Sequence, residues 1–201
     1  MGLPRGQVRI EDYSSEWARS FAEEQERLLA AIGHVSRIIE HVGSTAVPGL
    51  CAKPVIDIAV GVAELSIGAA CVEPLAGIGY EYKGDAGING RHFFAKGPPE
   101  DRTCYVHVEP LNGPLWRNHI LFRDYLRTHP DAARAYGQLK RSLAARYSRD
   151  RDTYASGKNA FVENILASAA ELYELNAAGQ TYLRAKNRMA GQIRHYQSEF
   201  D

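Results

Sequence analysis

The residues with the greatest chemical potential lie between His41 and Asp57. The run His41-Val42-Gly43-Ser44-Thr45-Ala46-Val47-Pro48-Gly49-Leu50 sets a Gly-Ser pair at the end of a β-branched stretch. Glycine lets backbone N–H groups approach an anion closely, and serine adds a hydroxyl. Asp57 follows inside Val55-Ile56-Asp57-Ile58-Ala59-Val60. An acid within an apolar strand is costly unless it is paired or metal-bound. Taken singly, the loop is equally readable as a Gly-Pro turn, and the acid as a core Asp paired with Lys53 or an arginine. Their order and spacing together favour a phosphate–metal site, with Gly43, Ser44 and Thr45 as phosphate binders and Asp57 as the catalytic, metal-binding carboxylate.

Other candidates lie downstream. His107 and Glu109 alternate on one short strand and so share a face. His107 is a base for an acceptor hydroxyl or amine, a metal ligand, or a buried structural histidine. Glu109 is either a second metal-binding acid beside Asp57 or a surface acid before Pro110. Lys53 sits where it can reach phosphate or pair with Asp57. Arg91 and Arg102 open two strands, and Lys140 and Lys158 lie on helices. Each of these cations alone reads as a solvated surface charge. As a set they supply the positive charge that a triphosphate needs. Tyr154 is a candidate for stacking on a base or ribose. Arg123 and Asp124 read as a helix-surface pair, and Trp17, Phe21 and Trp116 as core.

The elements that must position these residues follow from periodicity. Trp17, Phe21, Leu28 and Ile32 recur at helical spacing, capped by Ser14 or Ser15 and ended by Gly33. Val35–Val42 and Val55–Val62 read as strands, the second buried on both faces. A helix over 66–76 comes next. Strands at Tyr80–Lys83, Arg91–Lys96 and Cys104–Glu109 are joined by turns short enough for an antiparallel meander. Helices are predicted over 116–127, over 131–147 with Ala135, Leu139 and Leu143 inward, and from about 156–158 with Phe161, Ile165, Ala169 and Leu172 on one face. Gly179 breaks or kinks that helix before a further helical stretch or frayed tail at 182–196. The expected architecture is α+β: a core over 1–113, then a helical subdomain over 114–201 packed on it.

Composition bounds the function. Net charge is zero, yet residues 1–113 hold 10 Lys+Arg against 15 Asp+Glu, and residues 114–201 hold 14 against 9. This asymmetry suits solvated helix faces, or a basic half holding polyphosphate against an acidic one. No basic stripe interleaved with aromatics occurs, so nucleic acid is not an expected partner. No run approaches the ~20 apolar residues of a membrane helix. Residues 1–5 lack the apolar core of a signal peptide. Cys51, Cys71 and Cys104 form no Cys-x-x-Cys pair, which suggests neither a disulfide framework nor a zinc site. The expectation is a cytoplasmic protein without a membrane partner; nothing in the sequence indicates its oligomeric state.

Glu40-His41-Val42-Gly43-Ser44-Thr45-Ala46-Val47-Pro48-Gly49-Leu50, continuing Ala52-Lys53-Pro54-Val55-Ile56-Asp57-Ile58, resembles the GrpB family of the nucleotidyltransferase superfamily. Further blocks agree: Arg91-His92-Phe93-Phe94, Val106-His107-Val108, His119 to Leu126, Leu139-Lys140, and Tyr154 with Gly157-Lys158. The resemblance spans roughly residues 8–172. It implies a nucleotidyltransferase-like mixed sheet with flanking helices, followed by a C-terminal helical subdomain. It implies that Gly43-Ser44 binds a nucleoside triphosphate such as ATP, that strand carboxylates hold Mg²⁺, and that a nucleotidyl group passes to a small-molecule acceptor. A nucleotide-binding regulatory protein without turnover and an ATP-using ligase are the alternatives. One departure stands out. The superfamily's second carboxylate, two residues after the first, is replaced by Ala59.

Overall fold

The structure is a computed structural model and describes residues 8–177. The expectations for Gly179 and 182–196 lie outside the described residues. Helix α1 (Glu16–Ile32) precedes strand β1 (Ile39–Val42), a single 3₁₀ turn (Ser44–Ala46) and strand β2 (Ile56–Val62). A 3₁₀ segment (Leu65–Cys71) and helix α2 (Val72–Gly77) lead into β3 (Tyr80–Tyr82), β4 (His92–Lys96) and β5 (Cys104–Pro110). Helices α3 (Pro114–Thr128), α4 (Pro130–Arg146), α5 (Arg151–Ser156) and α6 (Asn159–Ala177) complete the chain. None of the described helices is long and apolar enough to cross a membrane.

The five strands form one mixed sheet in the order β1-β2-β5-β4-β3. β3, β4 and β5 are the expected antiparallel meander. β5 then pairs in parallel with β2, which puts the meander beside the strand that carries Asp57. This is the expected α+β arrangement of a mixed sheet with flanking helices.

Because side chains alternate, the sheet has two unlike faces. Ile56, Ile58, Val60 and Val62 of β2, with Cys104, Val106 and Val108 of β5 and Phe94 of β4, point one way and pack with Leu28 and Ile32 of α1 and Leu75 of α2. Each such aliphatic side chain, taken fully out of water, contributes roughly 1.5–3 kcal/mol. The other face carries Asp57, Ala59, His107 and Glu109, and α3 crosses it. Trp116 of α3 packs with Val42 and Ala59. Its ring lies 3.1 Å from where a β-carbon on Gly61 would stand, so a larger residue at Gly61 would push the helix off the sheet.

Local departures from expectation have identifiable causes. The first strand is shorter than 35–42 because the N–H groups of Val35 and Ser36 turn back to the Ile32 carbonyl, and the Ser36 hydroxyl donates to the Gly61 carbonyl at 2.5 Å. The helix expected over 66–76 begins as 3₁₀, where Gly68 closes against His92. α3 runs through Thr128, so that residue does not cap α4; His129 holds the junction. In α4 the inward face carries Tyr136, Lys140 and Leu143, whereas Ala135 is exposed. The third predicted helix is α6, which starts at Asn159; the short α5 ahead of it was not predicted, and Leu172 is exposed. All three cysteines are buried thiols.

Candidate functional site

β1 ends at Val42, which lies opposite Asp57 in the antiparallel pair. The chain then turns sharply at Gly43, with φ +70° and ψ −167°, a conformation essentially confined to glycine. A β-carbon built there would stand 2.8 Å from Oδ2 of Asp57. The Gly-Ser turn is therefore folded directly onto the carboxylate. Asp57 keeps 35% of its side chain exposed, so it faces an open cleft rather than a closed core.

Three sides clamp the loop. On the α1 side, His41 stacks on Phe21 with ring centroids 4.7 Å apart, and its Nε2 lies 2.9 Å from the Thr45 hydroxyl. Burial pushes the His41 pKa down to about 4, so the ring is neutral near pH 7. On the α3 side, Arg123 donates to Glu40 at 2.7 Å and to the His41 carbonyl at 3.0 Å, and Arg127 donates to the Ala46 carbonyl at 2.9 Å. From α4, the buried Tyr136 phenol interacts with Ser44, and Lys140 donates to the Cys51 carbonyl. Tyr136, Arg123 and Arg127 were not recognisable as loop supports from sequence. Tyr136 sits one helical turn before Lys140, and that spacing was the available signal.

Cations line the cleft. Lys53 and Lys158 lie 4.5 and 4.6 Å from the ring centroid of the buried Tyr154. Burial, then the nearby Lys158 and Arg151, lower the Lys53 pKa to about 8, with Asp57 opposing. Burial likewise lowers Lys158, again with Asp57 opposing. Burial takes Lys140 down to about 7. Two of these lysines thus share the field of one carboxylate, and an incoming anion would relieve their crowding.

The meander supplies a second group. Arg91 places Nη1 2.9 Å from Nδ1 of His107, whose Nε2 lies 3.7 Å from Oδ1 of Asp57. Guanidinium is only a donor, so Nδ1 is the acceptor and the ring proton sits on Nε2, turned toward Asp57. Burial lowers the His107 pKa and keeps it neutral. Farther along β5, Glu109 is fully buried and 2.8 Å from Nδ1 of His119 in α3.

Not every candidate joins this group. The parallel register sets Glu109 opposite Gly61, four residues beyond Asp57 and roughly 13 Å along the strand. Glu109 is thus neither a surface acid nor a neighbour of Asp57. Arg102 turns to the far edge of the sheet, donating to the Gly97 carbonyl at 2.6 Å and to Glu81 of β3 at 3.0 Å. The Thr45 hydroxyl is engaged with His41, and the Tyr154 ring with its two lysines. Lys140 lies beneath the loop rather than in the cleft. Gly43, Ser44, Lys53, Asp57, Arg91, His107 and Lys158 are the predicted residues that gather around one place.

The arrangement is that of a small α+β domain presenting a glycine turn, a carboxylate and cations at one edge of a mixed sheet. The sequence model described as GrpB protein matches residues 7–168, and the chain belongs to the GrpB family. It is 36% identical over 198 residues to the UPF0157 protein YqkA of Bacillus subtilis, covering 98% of this chain and 54% of that protein. The chain thus spans about half the length of that relative. It matches the crystal structure of the conserved protein GrpB from Enterococcus faecalis with a TM-score of 0.76 and 36% identity, over 82% of this chain and 99% of the other. A fainter likeness is to Cid1 in complex with the UTP analog UMPNPP, with a TM-score of 0.47 and 17% identity over 73% of this chain and 48% of that one.

Proposed function

We propose that this domain binds a nucleoside triphosphate, ATP being the first candidate, at the turn between Gly43 and Asp57, and transfers its nucleotidyl group to a small acceptor. The observation that carries this reading is the seating of the Gly43-Ser44 backbone against the Asp57 carboxylate, with Lys53 and Lys158 within the field of that carboxylate. Backbone N–H groups and ammonium groups favour phosphate, whereas a lone carboxylate would repel it unless a cation lies between them.

The donor set decides what kind of metal fits. Among the described residues no three His, Cys, Asp or Glu are placed to hold an ion. A resident metal cage therefore does not suit this site. Mg²⁺ arriving with the nucleotide does, because it is commonly bound by one carboxylate together with phosphate oxygens and water. Asp57 would be that carboxylate, and Mg²⁺ would neutralise charge on the phosphates. Lys53 and Lys158 would hold the phosphate chain, and His107 would steady Asp57 through its Nε2 proton. A soluble cytoplasmic setting accords with this role.

A second reading is nucleotide binding without turnover. The observation that favours it is the single carboxylate: Ala59 fills the second position, and Glu109 is held away from it. Calorimetry with Mg-ATP and a pyrophosphate-release assay separate the two. Binding that Asp57→Ala abolishes, with release in the wild type, supports transfer. Binding with no release across hydroxyl and amine acceptors supports the regulatory reading. Unchanged binding in Asp57→Ala overturns both.

A further inference from the structure

The nucleotidyl-transfer reading needs a group that takes the acceptor's proton, and His107 is unsuited to it. Its one ring lone pair, at Nδ1, is occupied by a guanidinium donor 2.9 Å away. The ring is also buried, with 8% of the residue exposed.

The neighbouring ring is arranged the other way round. His119, from α3, meets His107 edge-on with centroids 4.9 Å apart. Its Nδ1 lies 2.8 Å from Oε1 of Glu109, a carboxylate with no exposed surface. A carboxylate is an acceptor, so the His119 proton sits on Nδ1 and the Nε2 lone pair is left free. The side chain is 29% exposed, unlike the buried ring of His107. The other Glu109 oxygen, Oε2, is buried and has no hydrogen-bond partner. A half-satisfied buried carboxylate is costly to maintain, and among the described residues this imidazole is the side chain that hydrogen-bonds to it.

We propose that His119 is the catalytic base of the transfer reaction and that Glu109 is its positioning residue. This rests on the nucleotidyl-transfer reading. The acceptor is then a neutral hydroxyl or amine that must lose a proton on attack, and not a carboxylate or phosphate, which would need no base. The acceptor's oxygen or nitrogen forms a bond to the α-phosphorus. The bond from that phosphorus to the pyrophosphate bridging oxygen breaks, and pyrophosphate leaves with the electron pair. The acceptor proton passes to Nε2 of His119, while Nδ1–H continues to donate to Glu109.

The test uses the full chain, Mg-ATP, and glycerol and ethanolamine as hydroxyl and amine probes. His119→Ala is expected to bind Mg-ATP like the wild type in calorimetry. It should release pyrophosphate about 100-fold more slowly, the usual scale for a lost general base. Added imidazole should restore release in His119→Ala and not in His107→Ala. An unchanged rate in His119→Ala, or loss without imidazole rescue, overturns the assignment. Nitrogen NMR provides a reading independent of turnover. Wild-type His119 is expected as the Nδ1–H tautomer, and Glu109→Leu should move the proton to Nε2. An Nε2–H tautomer in the wild type overturns the proposal whatever the assay shows. If wild type fails to bind Mg-ATP, the nucleotide reading falls and the catalytic assignment falls with it; the tautomer still reports whether Glu109 orients His119.

Discussion

A β-carbon on Gly43 would stand 2.8 Å from Oδ2 of Asp57, a distance that real β-carbons do not adopt. The backbone at Gly43 is also in a conformation that costs other residues about 1–3 kcal/mol. Gly43→Ala therefore forces either the turn or the carboxylate to move. The expected result is a loss of about 1–3 kcal/mol in urea unfolding, together with loss of Mg-ATP binding under conditions where the variant is folded. Retained affinity in a folded Gly43→Ala would show that the turn and the acid act separately.

Acid should loosen the loop before it reaches the rest of the molecule. His41 is held neutral with its pKa near 4, whereas in the unfolded chain it titrates near 6.5. Between these values the unfolded state binds more protons, so stability falls as pH drops through that window. The expected loss by pH 4 is roughly 3 kcal/mol at about 1.4 kcal/mol per unit. His41→Gln, which has no proton to take up, should flatten this part of the stability curve. Parallel acid unfolding of the two proteins would remove His41 from the account.

For the proposed nucleotide site, Lys53 sets an expected dependence of affinity on alkaline pH. Its pKa of about 8 means that it loses charge just above neutrality in the free protein. A bound phosphate favours the charged form and raises that value, so binding takes up a proton near pH 8. Affinity should fall about tenfold from pH 7 to 9 by linkage. Calorimetry in two buffers of different ionisation heat reads the proton uptake directly. Lys53→Met should bind more weakly throughout and lose most of this dependence; an undiminished dependence would assign the proton elsewhere.

The parts of the site carried by local chemistry were legible in the sequence. Gly43, Ser44 and Asp57 announced themselves because a glycine-serine turn followed by an acid in an apolar strand on the next element is an unusual combination. The meander was legible from the shortness of its turns. The parallel pairing of β2 with β5 was not, because nothing local fixes which strands meet or in what register. That register decides the fate of Glu109: period-2 alternation placed it on the same face as Asp57, but four residues too far along. On α4, Leu139 and Leu143 were read correctly as inward and Ala135 was not, because Tyr136 and Lys140, though polar-ended, are buried there. His119 lay within a recognisable block, yet its importance depends on a buried carboxylate ten residues earlier in the chain.

The small residue at Ala59, two positions after Asp57, also has a structural cause. Ala59 has no exposed surface and lies beneath Trp116, in a cluster that includes Val42. It sits opposite His107 in the parallel register, with α3 closing over both. An acid there would be covered by the indole and cut off from the cleft in which Asp57 is partly exposed. Ala59→Asp should therefore cost about 3 kcal/mol or more, the scale of an uncompensated buried charge. It should not strengthen Mg-ATP binding. Urea unfolding and calorimetry on the same preparation check both expectations. A variant as stable as wild type, with tighter Mg-ATP binding, would mean that Trp116 can swing clear and that an acid at position 59 reaches the cleft beside Asp57.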